Sequence, residues 1–355
     1  MCPIQGRQQQ VVVRGSMSST LPVKSGVPQG SILGPLLFVL FINDMFSCVS
    51  EGTHIALYAD DTKIWREITC QNDHLILQND INNLFEWSVN NKMRFHPGKC
   101  KVLSVTLQRN VLDNLPFNKY FYELNNNIID YVPSQTDLGI HINTKLSWGE
   151  HCNALVAKAS SNLGLLRRTC HFTTNKRQKL SFYLAVIRSI FEHCSVIWCP
   201  QKSTYIQKLA AIQKRAIKWI NGEQFVSYTD EVYVEKQREL NILPIKLKFT
   251  YNDLVIFYKI VNGLVPISLP SYISICIPDD VRYTRRNASI HNLSDTSTYQ
   301  CSIAPNCDVF KNSYFYRTMH RWNSLPVDVR QKERISSFKT ILTKFLWSAD
   351  IDWPD

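Results

Sequence analysis

Two adjacent aspartates, Asp60 and Asp61, follow Tyr58 and Ala59 in a pattern typical of a turn. Neighbouring carboxylates repel each other, and a divalent cation removes that cost. Mg²⁺ prefers hard oxygen ligands and is usually held by one or two carboxylates together with substrate phosphates. Turns also favour aspartate because its side chain makes local hydrogen bonds. Taken alone, the pair is more often a solvated turn than a metal site, so its surroundings must decide between the two interpretations.

The segments on either side of the aspartates predict a β-hairpin. Residues His54 to Tyr58 and Thr62 to Trp65 have the composition of two short strands around Ala59-Asp60-Asp61, and a tight turn exposes both carboxylates on one side of a sheet. Upstream, a helix is expected to begin near Ser31 with Pro35 in its first turn, where a missing N–H is tolerated. Its apolar residues at helical spacing are Leu36, Leu37, Leu40 and Phe41.

Short strands and one amphipathic helix are expected around this hairpin. Val11 to Val13 and Leu21 to Lys24 are predicted strands that flank the turn signal Arg14-Gly15-Ser16. An amphipathic helix is predicted from the apolar positions Leu77, Ile81, Leu84 and Phe85, and it ends at His96-Pro97-Gly98. Further strands are predicted at Lys101 to Leu107, Ile128 to Val132 and Leu138 to Ile142.

After His151 the apolar residues adopt helical spacing. One predicted helix carries Leu180, Leu184, Ile187, Phe191 and Cys194. A second has Lys214 and Lys218 opposite an apolar stripe formed by Ile206, Leu209, Ala210, Ala216, Ile217 and Ile220. Pro-rich, irregular chain is expected at about 264–310. A last helix is expected to begin at a Ser336 cap and to bury Phe338, Ile341, Leu342, Phe345 and Leu346.

The positive charge of the chain is concentrated in one segment. The formal net charge is +11, a balance that points to a polyanionic partner, most often nucleic acid. Between His151 and Gly222 there are twelve basic residues and a single acid, Glu192. A basic face that binds nucleic acid is therefore favoured over one that is only solvated. The twelve residues are Lys158, Arg167, Arg168, Lys176, Arg177, Lys179, Arg188, Lys202, Lys208, Lys214, Arg215 and Lys218.

Composition excludes several classes of protein. Hydrophobic residues make up 45% of the 355 positions, which is too many for a disordered chain and enough for two or three packed domains. The eleven cysteines lack the close spacing of a zinc site, and reduced thiols indicate the cytosol or the nucleus. The longest apolar stretch, Ile32 to Phe41, is too short to span a bilayer. No signal peptide is visible, so no membrane association is expected.

Three segments before and at the aspartates resemble reverse transcriptases. Residues 25–38 read SGVPQGSILGPLLF, residues 41–44 read FIND and residues 58–61 read YADD. In this order they are most similar to the reverse transcriptases of jockey-like non-LTR retrotransposons. Later segments resemble other motifs of the same family. These are 84–87 with 96–100 (a palm motif), 137–140 with 146–148 (the primer grip), 150–222 (the thumb), and 321–326 with 337–339 (the C-terminal tail).

The resemblance implies a fold and a division into domains. The expected class is α+β, with a partial right-hand polymerase palm made of an antiparallel sheet with helices, followed by a mainly helical thumb and C-terminal region. The expected parts are a partial palm at 1–149, a basic helical thumb or connection at 150–222, and a mainly helical C-terminal region at 223–355.

The resemblance also implies roles for individual residues. Asp60 is expected to bind Mg²⁺ or Mn²⁺, with Asp61 as a weaker ligand, and Tyr58 to pack near the primer end. Lys99 is expected to act catalytically by protonating or neutralising pyrophosphate. An ordinary surface lysine and a half-buried strand tyrosine are the alternatives for Lys99 and Tyr58.

Substrate contacts follow in the same way. Gln29 and Gly30 are expected to lie against the template base and the incoming dNTP, because glycine lets backbone approach a substrate. Leu138 and Gly139 are expected to hold the primer strand. The expected nucleic-acid contacts, to the RNA template and DNA primer, are Arg167, Arg168, Lys176, Arg177, Lys208, Lys214, Arg215 and Lys218. The sequence indicates no protein partner.

One departure from the family pattern concerns a third carboxylate. In the family it lies on a strand well before the segment equivalent to 25–38, whereas the 24 residues before Ser25 contain no Asp or Glu. The expectation is an N-terminally truncated reading frame that lacks the fingers and the first catalytic aspartate. Asp130 could substitute in a permuted arrangement, but its strand is already expected to pair with the primer-grip turn, which disfavours this alternative. The chain alone is therefore expected to be inactive and poorly soluble.

Three functions remain open from the sequence. The first is a fragment of an RNA-directed DNA polymerase that performs two-metal nucleotidyl transfer in its full-length form. The second is a non-catalytic module that binds RNA or primer–template, and the third is the remnant of a decayed element. Viral RNA polymerases and group II intron maturases fit less well. A nuclear or cytoplasmic ribonucleoprotein is the expected location.

Overall fold

The computed structural model describes residues 6–23, 26, 30–106, 120–170, 175–223, 225–276 and 298–348. The chain divides into two compact units, Met1–Val132 and Pro133–Asp355. Both units combine helices with short strands, so the predicted α+β class is confirmed. Within the described ranges no helix has both the length and the apolar character needed to cross a membrane.

The first unit contains two α-helices, α1 (Leu33–Ile42) and α2 (Gln71–Asn90). Two 3-10 segments, Asn43–Cys48 and Pro97–Lys99, follow them. The strands are short. They are β1 (Gln8–Gln9), β2 (Val12–Val13), β3 (Ser16–Met17), β4 (Leu21–Pro22), β5 (Thr53–Tyr58), β6 (Asp61–Arg66), β7 (Lys101–Val102), β8 (Glu123–Leu124), β9 (Asn127–Ile128) and β10 (Asp130–Tyr131).

Strand pairing in this unit differs in places from the expectation. The turn at Arg14-Gly15 is confirmed, but the strand that returns from it is β3, while β4 pairs with β1. The strand expected from Lys101 stops at Val102 within the described residues, and Leu107 lies outside them. The strand that carries Asp130 runs parallel to β7. Its expected pairing with the primer-grip turn was wrong, because that turn joins two strands of its own.

Helix α2 packs on two sides, which explains its predicted apolar stripe. Leu84 and Trp87 pack with Ile42 and Met45 beneath β5 and β6. Leu77, Ile81 and Phe85 pack against the buried residues of the β8–β10 region, Tyr122, Leu124 and Ile129. The helix α2 therefore packs against the β5–β6 hairpin and supports it.

Helix α1 begins where the sequence predicts. The Ser31 hydroxyl accepts a hydrogen bond from the Gly34 amide at 3.0 Å, and Pro35 lies in the first turn. Of the predicted stripe, Leu36, Leu40 and Phe41 are exposed. The helix is apolar on every side, so residue spacing could not identify its buried face.

The second unit is mainly helical. One hairpin, β11 (Ser134–Asp137) and β12 (Ile140–Asn143), precedes the helices, and β13 (Ile273–Cys276) pairs with β14 (Thr298–Cys301) among them. The helices are α3 (Gly149–Thr169), α4 (Lys176–Phe182), α5 (Ser189–Glu192), α6 (Ser195–Trp198), α7 (Ser203–Asn221), α8 (Asp230–Glu239), α9 (Ile245–Val261), α10 (Asp308–Lys311), α11 (Tyr314–Asn323), α12 (Val327–Arg330) and α13 (Ile335–Ser348).

The predicted stripe on α7 is confirmed, since Leu209, Ala216, Ile217 and Ile220 are buried in a core shared with α3. The stripe of the preceding helix was partly wrong. A π-helical segment, Tyr183–Arg188, joins α4 to α5. Its wider turn rotates the helix face.

This rotation buries Tyr183 completely and leaves Leu184 47% exposed. Cys194 was also placed wrongly in the helix, because its φ of 50° ends the helical path after α5. At the last helix, α13 already begins at Ile335, so Ser336 is not its cap. The burial expected for Phe338, Leu342 and Leu346 is confirmed.

Candidate functional site

The two aspartates lie at the tip of the β5–β6 hairpin, as predicted. Tyr58 pairs directly with Asp61, so Ala59 and Asp60 form a two-residue turn. We call residues Tyr58 to Asp61 the Asp60 turn. Asp60 and Asp61 are exposed, and Tyr58 is 66% exposed, which excludes the half-buried tyrosine as the alternative for this position. Both carboxylates are therefore accessible to an ion in solvent.

The backbone of the Asp60 turn is unusual at Ala59, whose φ is 52°. A residue with a Cβ rarely adopts a positive φ. Such strained positions persist where surrounding structure holds them, and they concentrate at ligand-binding sites. The strain is an observation from which a function at this turn can be inferred.

The hairpin is held from below by apolar packing. Ile55, Leu57 and Ile64 alternate along β5 and β6 and face the core that contains Met45 and Leu84. Residues between them face solvent, as the period of two in a strand requires. The sheet face that carries Tyr58 and Asp61 is consequently the exposed one.

Polar contacts hold the other end of the hairpin. The buried Asp80 of α2 accepts hydrogen bonds from the Ser50 amide at 2.9 Å and the Ser50 hydroxyl at 2.7 Å. Arg66, at the end of β6, donates to the Glu51 carbonyl at 2.9 Å and forms an ion pair with Asp73 at 3.2 Å.

Asp73 is itself held by hydrogen bonds from Thr69 and Cys70, which lower the pKa of its carboxyl group. Sequence reasoning did not identify Asp80, Arg66 or Asp73 as residues that support the turn. The spacing of Cys70 and Asp73 resembles a capping box, and it was the one sequence signal that could have revealed Asp73.

The carboxylate oxygens at the Asp60 turn are suitable ligands for a hard cation. Mg²⁺ is commonly bound by one or two carboxylates, with waters and substrate phosphates as further ligands. Asp60 and Asp61 provide two such carboxylates. No cluster of three or more His, Cys, Asp or Glu residues suited to a metal ion occurs among the residues that the structure describes.

Other predicted site residues are placed as follows. Gly30 is described and exposed, with a φ of 79° and no heavy atom near the position of a Cβ, whereas Gln29 lies outside the described residues. Lys99 is exposed at the end of the Pro97–Lys99 segment, where its amide donates to the His96 carbonyl at 2.9 Å. The structure does not bring Lys99 or Gly30 into a described contact with either aspartate.

Leu138 and Gly139 form a tight turn in the second unit. Asp137 pairs with Ile140, so the two residues were wrongly placed in a strand and are instead the centre of a two-residue turn. Their φ values are 47° and 84°, which is the geometry of a type I′ turn. We call residues Asp137 to Ile140 the Leu138 turn. Leu138 is 45% exposed.

The basic residues of the predicted nucleic-acid face fall into two groups. Arg167, Arg168, Lys176, Arg177, Lys208 and Arg215 are exposed on α3, α4 and α7. Lys214 and Lys218 are half-buried. Their ammonium groups lie over the rings of Tyr233 and Tyr228, at 5.2 Å and 5.1 Å from the ring centres.

Several of these cations also have polar neighbours. Lys214 lies 3.7 Å from Asp230, Lys208 donates to Asn153 at 3.0 Å and Arg215 donates to Ser160 at 3.1 Å. Such exposed contacts are weak and exchangeable. They orient the side chains without removing them from solvent.

Arg188 was wrongly counted in the basic face. It is buried and forms an ion pair with Glu192 at 2.8 Å. It also donates to Gln213 and to the Leu243 carbonyl. Its charge is therefore used inside the helical core, where a buried guanidinium requires such partners.

Comparison with known proteins finds one family model and several relatives. Residues 3–142 match the family model for reverse transcriptase (RNA-dependent DNA polymerase). The RNA-directed DNA polymerase from mobile element jockey of Drosophila funebris is 24% identical over 241 residues, which cover 64% of this chain and 25% of that protein. Residues 3–142 are therefore similar to a reverse transcriptase, and the relatives are enzymes of jockey-like non-LTR retrotransposons.

Two further relatives are similar at the same level. The jockey RNA-directed DNA polymerase of Drosophila melanogaster is 23% identical over 246 residues, covering 65% of this chain and 25% of that protein. The Pol polyprotein from type-1 retrotransposable element R1 2 of Nasonia vitripennis is 25% identical over 184 residues, covering 49% and 43%. The chain thus spans about a quarter of the length of the jockey proteins. No solved structure matches this chain.

Proposed function

We propose that the Asp60 turn is the metal-binding part of a nucleotidyl-transfer site in an RNA-directed DNA polymerase. The observation that carries the proposal is a pair of adjacent, exposed carboxylates on a turn whose backbone is strained at Ala59. Repulsion between the carboxylates and backbone strain both cost free energy in the absence of a ligand. A bound divalent cation offsets the first of these costs.

The residues of the turn have distinct roles in this proposal. Asp60 is the principal ligand of Mg²⁺ or Mn²⁺, and Asp61 contributes more weakly. Bound in this way, the ion supplies charge neutralisation at the transferring phosphate and its leaving group. Tyr58, exposed beside the carboxylates, contacts the primer end. Positioning and charge neutralisation supply most of the catalysis in phosphoryl transfer, so the rigid support of this turn matters as much as its carboxylates.

Gly30 and Gln29 line the position of the incoming dNTP and the template base. The open space around Gly30 supports this role, because backbone can approach a substrate there. Lys99 faces the leaving pyrophosphate. The palm and thumb are the parts at 1–149 and 150–222.

The exposed cations of α3, α4 and α7 bind the RNA template and DNA primer through phosphates. Each phosphate contact releases counterions, so affinity falls with salt in proportion to the number of contacts. The Leu138 turn holds the primer strand. Binding to its own transcript would place the protein in a nuclear or cytoplasmic ribonucleoprotein, and the ten described cysteines, all free thiols, support a reducing compartment.

Metal titration tests the proposal directly. Mn²⁺ binding to the chain would be measured by calorimetry for the unchanged protein, for Asp60→Asn and for Asp328→Asn. Asp328 is also exposed, so it controls for the loss of one surface charge. We expect Asp60→Asn to weaken Mn²⁺ binding by about tenfold or more, since a ligand substitution commonly costs over 1.4 kcal/mol. Equal affinities in all three proteins would refute a metal site at this turn.

A non-catalytic binding module is the second candidate, and the exposed basic helices favour it. The two functions separate in one comparison. Salt-dependent binding of an RNA–DNA duplex that is unchanged by Asp60→Asn, together with no metal binding, would support the module. Metal-dependent binding of dNTP that is lost in Asp60→Asn would support the polymerase.

A further inference from the structure

The Leu138 turn is strained in a way that requires support from its surroundings. A two-residue hairpin turn of this type usually has asparagine or aspartate before glycine. Here a leucine adopts a φ of 47°, which is unfavourable for a residue with a branched apolar side chain. Such a conformation persists only where neighbouring structure fixes it.

His193 provides the first support. Its Nε2 lies 3.0 Å from the Leu138 carbonyl oxygen. Because a carbonyl can only accept, the imidazole must carry its proton on Nε2 and donate it. A Cβ added to Gly139 would lie 3.4 Å from the same nitrogen, so the ring also packs directly against the turn.

The backbone of His193 is itself fixed on both sides. Its amide donates to the Ser189 carbonyl at 3.0 Å, at the end of α5. Its carbonyl accepts a hydrogen bond of 2.8 Å from the indole Nε1 of Trp198, a completely buried residue. The imidazole is therefore presented to the Leu138 turn from a rigid part of the helical core.

His151 of α3 provides a second support on the following strand. Its Nδ1 accepts a hydrogen bond of 3.3 Å from the His141 amide. His151 is buried, and burial, together with the neighbouring His141 and His193, lowers its pKa to about 4. The ring is neutral near pH 7, so the lone pair on Nδ1 remains available to the strand.

We propose that His193 is a positioning residue that sets the Leu138 turn in the orientation needed to contact the primer strand. His151 holds the strand behind it. The inference rests on the proposed role of this turn in primer binding. His193 is exposed, so replacing its imidazole leaves the buried core in place, and its hydrogen bond acts on the Leu138 carbonyl of the turn.

Two variants of His193 separate the hydrogen bond from the ring. His193→Gln retains an amide N–H close to the position of Nε2, whereas His193→Phe retains the ring and removes the donor. His320→Phe is the matched control, because His320 is an exposed histidine of α11 whose ring packs on Tyr316. Hydrogen exchange of residues 134–143 and binding of a recessed RNA–DNA primer–template would be measured for each protein. Blunt duplex of the same length is the reference ligand.

We expect His193→Phe to accelerate exchange of residues 134–143 about five- to tenfold, which is the effect of one lost hydrogen bond. It should reduce the preference for recessed over blunt duplex by a similar factor. His193→Gln should restore both properties, and His320→Phe should leave both unchanged. A preference for recessed duplex that is unaltered in His193→Phe would overturn the proposal, because a merely structural role could change exchange alone.

A measurement on the unchanged protein keeps the test independent of variant folding. In ¹⁵N-histidine-labelled protein, long-range ¹H–¹⁵N correlation should show His193 with its proton on Nε2. A proton on Nδ1 alone would refute the hydrogen bond. If the unchanged protein shows no preference for recessed duplex, the proposed role of the turn in primer binding fails. In that case His193 is not a primer-positioning residue, whatever the exchange data show about the bond itself.

Discussion

Replacing Asp80 with alanine is expected to loosen the Asp60 turn from the opposite end of its hairpin. Asp80 is completely buried on α2. One of its oxygens accepts both the amide and the hydroxyl of Ser50, at 2.9 Å and 2.7 Å. Ser50 lies just before β5, and its carbonyl accepts the amide of Thr53, the first residue of that strand. Asp80 thus fixes the point at which β5 leaves the core.

The size of the effect follows from these two bonds. A hydrogen bond to a charged group contributes about 1.5–3 kcal/mol. The other oxygen of Asp80 is buried with no hydrogen-bond partner among the described residues, so removing the carboxylate also removes a desolvation cost. The net loss for Asp80→Ala should be about 2–3 kcal/mol. Ser50→Ala removes only the hydroxyl bond and should cost about 1.5 kcal/mol, the lower end of the same range.

Hydrogen exchange measured by mass spectrometry can detect this loss locally. Amides of residues 53–66 should exchange roughly 30- to 150-fold faster in Asp80→Ala, by the conversion of 1.36 kcal/mol per factor of ten. Peptides of the second unit serve as the internal control and should be unchanged. A change below about threefold in residues 53–66 would refute the reasoning. An equal change in both units would also refute it, because a local hydrogen bond should not alter exchange at sites that are independent of it.

Four further predictions concern the turn, the helical core, pH and activity. Ala59→Gly should leave stability within about 1 kcal/mol of the original, because relief of backbone strain offsets the greater freedom of glycine in the unfolded chain. Ala59→Val should be less stable than Ala59→Gly by about 1–2 kcal/mol in urea unfolding. Equal stability of the two variants would contradict the positive φ. Two buried arginines, Arg317 and Arg321, form ion pairs with Asp253 at 2.9 Å and 3.0 Å. Asp253→Ala leaves both without a counter-charge and should destabilise the second unit by about 3–5 kcal/mol. A loss under 1 kcal/mol would count against a desolvated cluster. Burial and two neighbouring histidines lower the pKa of His151 from 6.5 to about 4. As the pH falls through this interval the unfolded chain binds the proton first, so the contribution of His151 to folding stability is complete above pH 6.5 and is lost toward pH 4. Urea unfolding should show a loss of about 3 kcal/mol over that interval, and His151→Phe should abolish this dependence. The chain alone should not extend a primer on an RNA template, because two adjacent carboxylates provide only part of the ligands for two ions; incorporation that disappears in Asp60→Ala would disprove this.

Local sequence signals predicted the β5–β6 hairpin that carries the two aspartates. The alternation of β5 and β6 around Ala59-Asp60 identified the hairpin, because period-two patterns and turn residues act within a few positions. The apolar stripe of α7 was predictable for the same reason. In both cases one short segment contains all the information that its local structure requires.

Features that depend on distant contacts could not be predicted. The π-helical segment shifts burial from Leu184 to Tyr183, although spacing alone favours the leucine. Arg188 counts as a surface charge until Glu192, Gln213 and Leu243 are found around it.

Leu138 was predicted to lie in a strand, and leucine is unfavourable in the type I′ turn that the structure shows. Its conformation is stabilised by His193, which lies 55 positions away in the chain. Tertiary contacts overrode the local preference here, as they did at Arg188. For this reason the residues that support the Asp60 turn and the Leu138 turn could not be predicted from the sequence.

Cleavage by a bound metal ion would test the central claim most directly. Fe²⁺ can replace Mg²⁺ at carboxylate sites, and with ascorbate and peroxide it cuts backbone near the ion. The account predicts that mass spectrometry will locate the cuts at residues 58–61, that excess Mg²⁺ will suppress them and that Asp60→Asn will abolish them. Cuts elsewhere in the chain, or cuts at 58–61 that persist in Asp60→Asn, would contradict a metal site at the Asp60 turn.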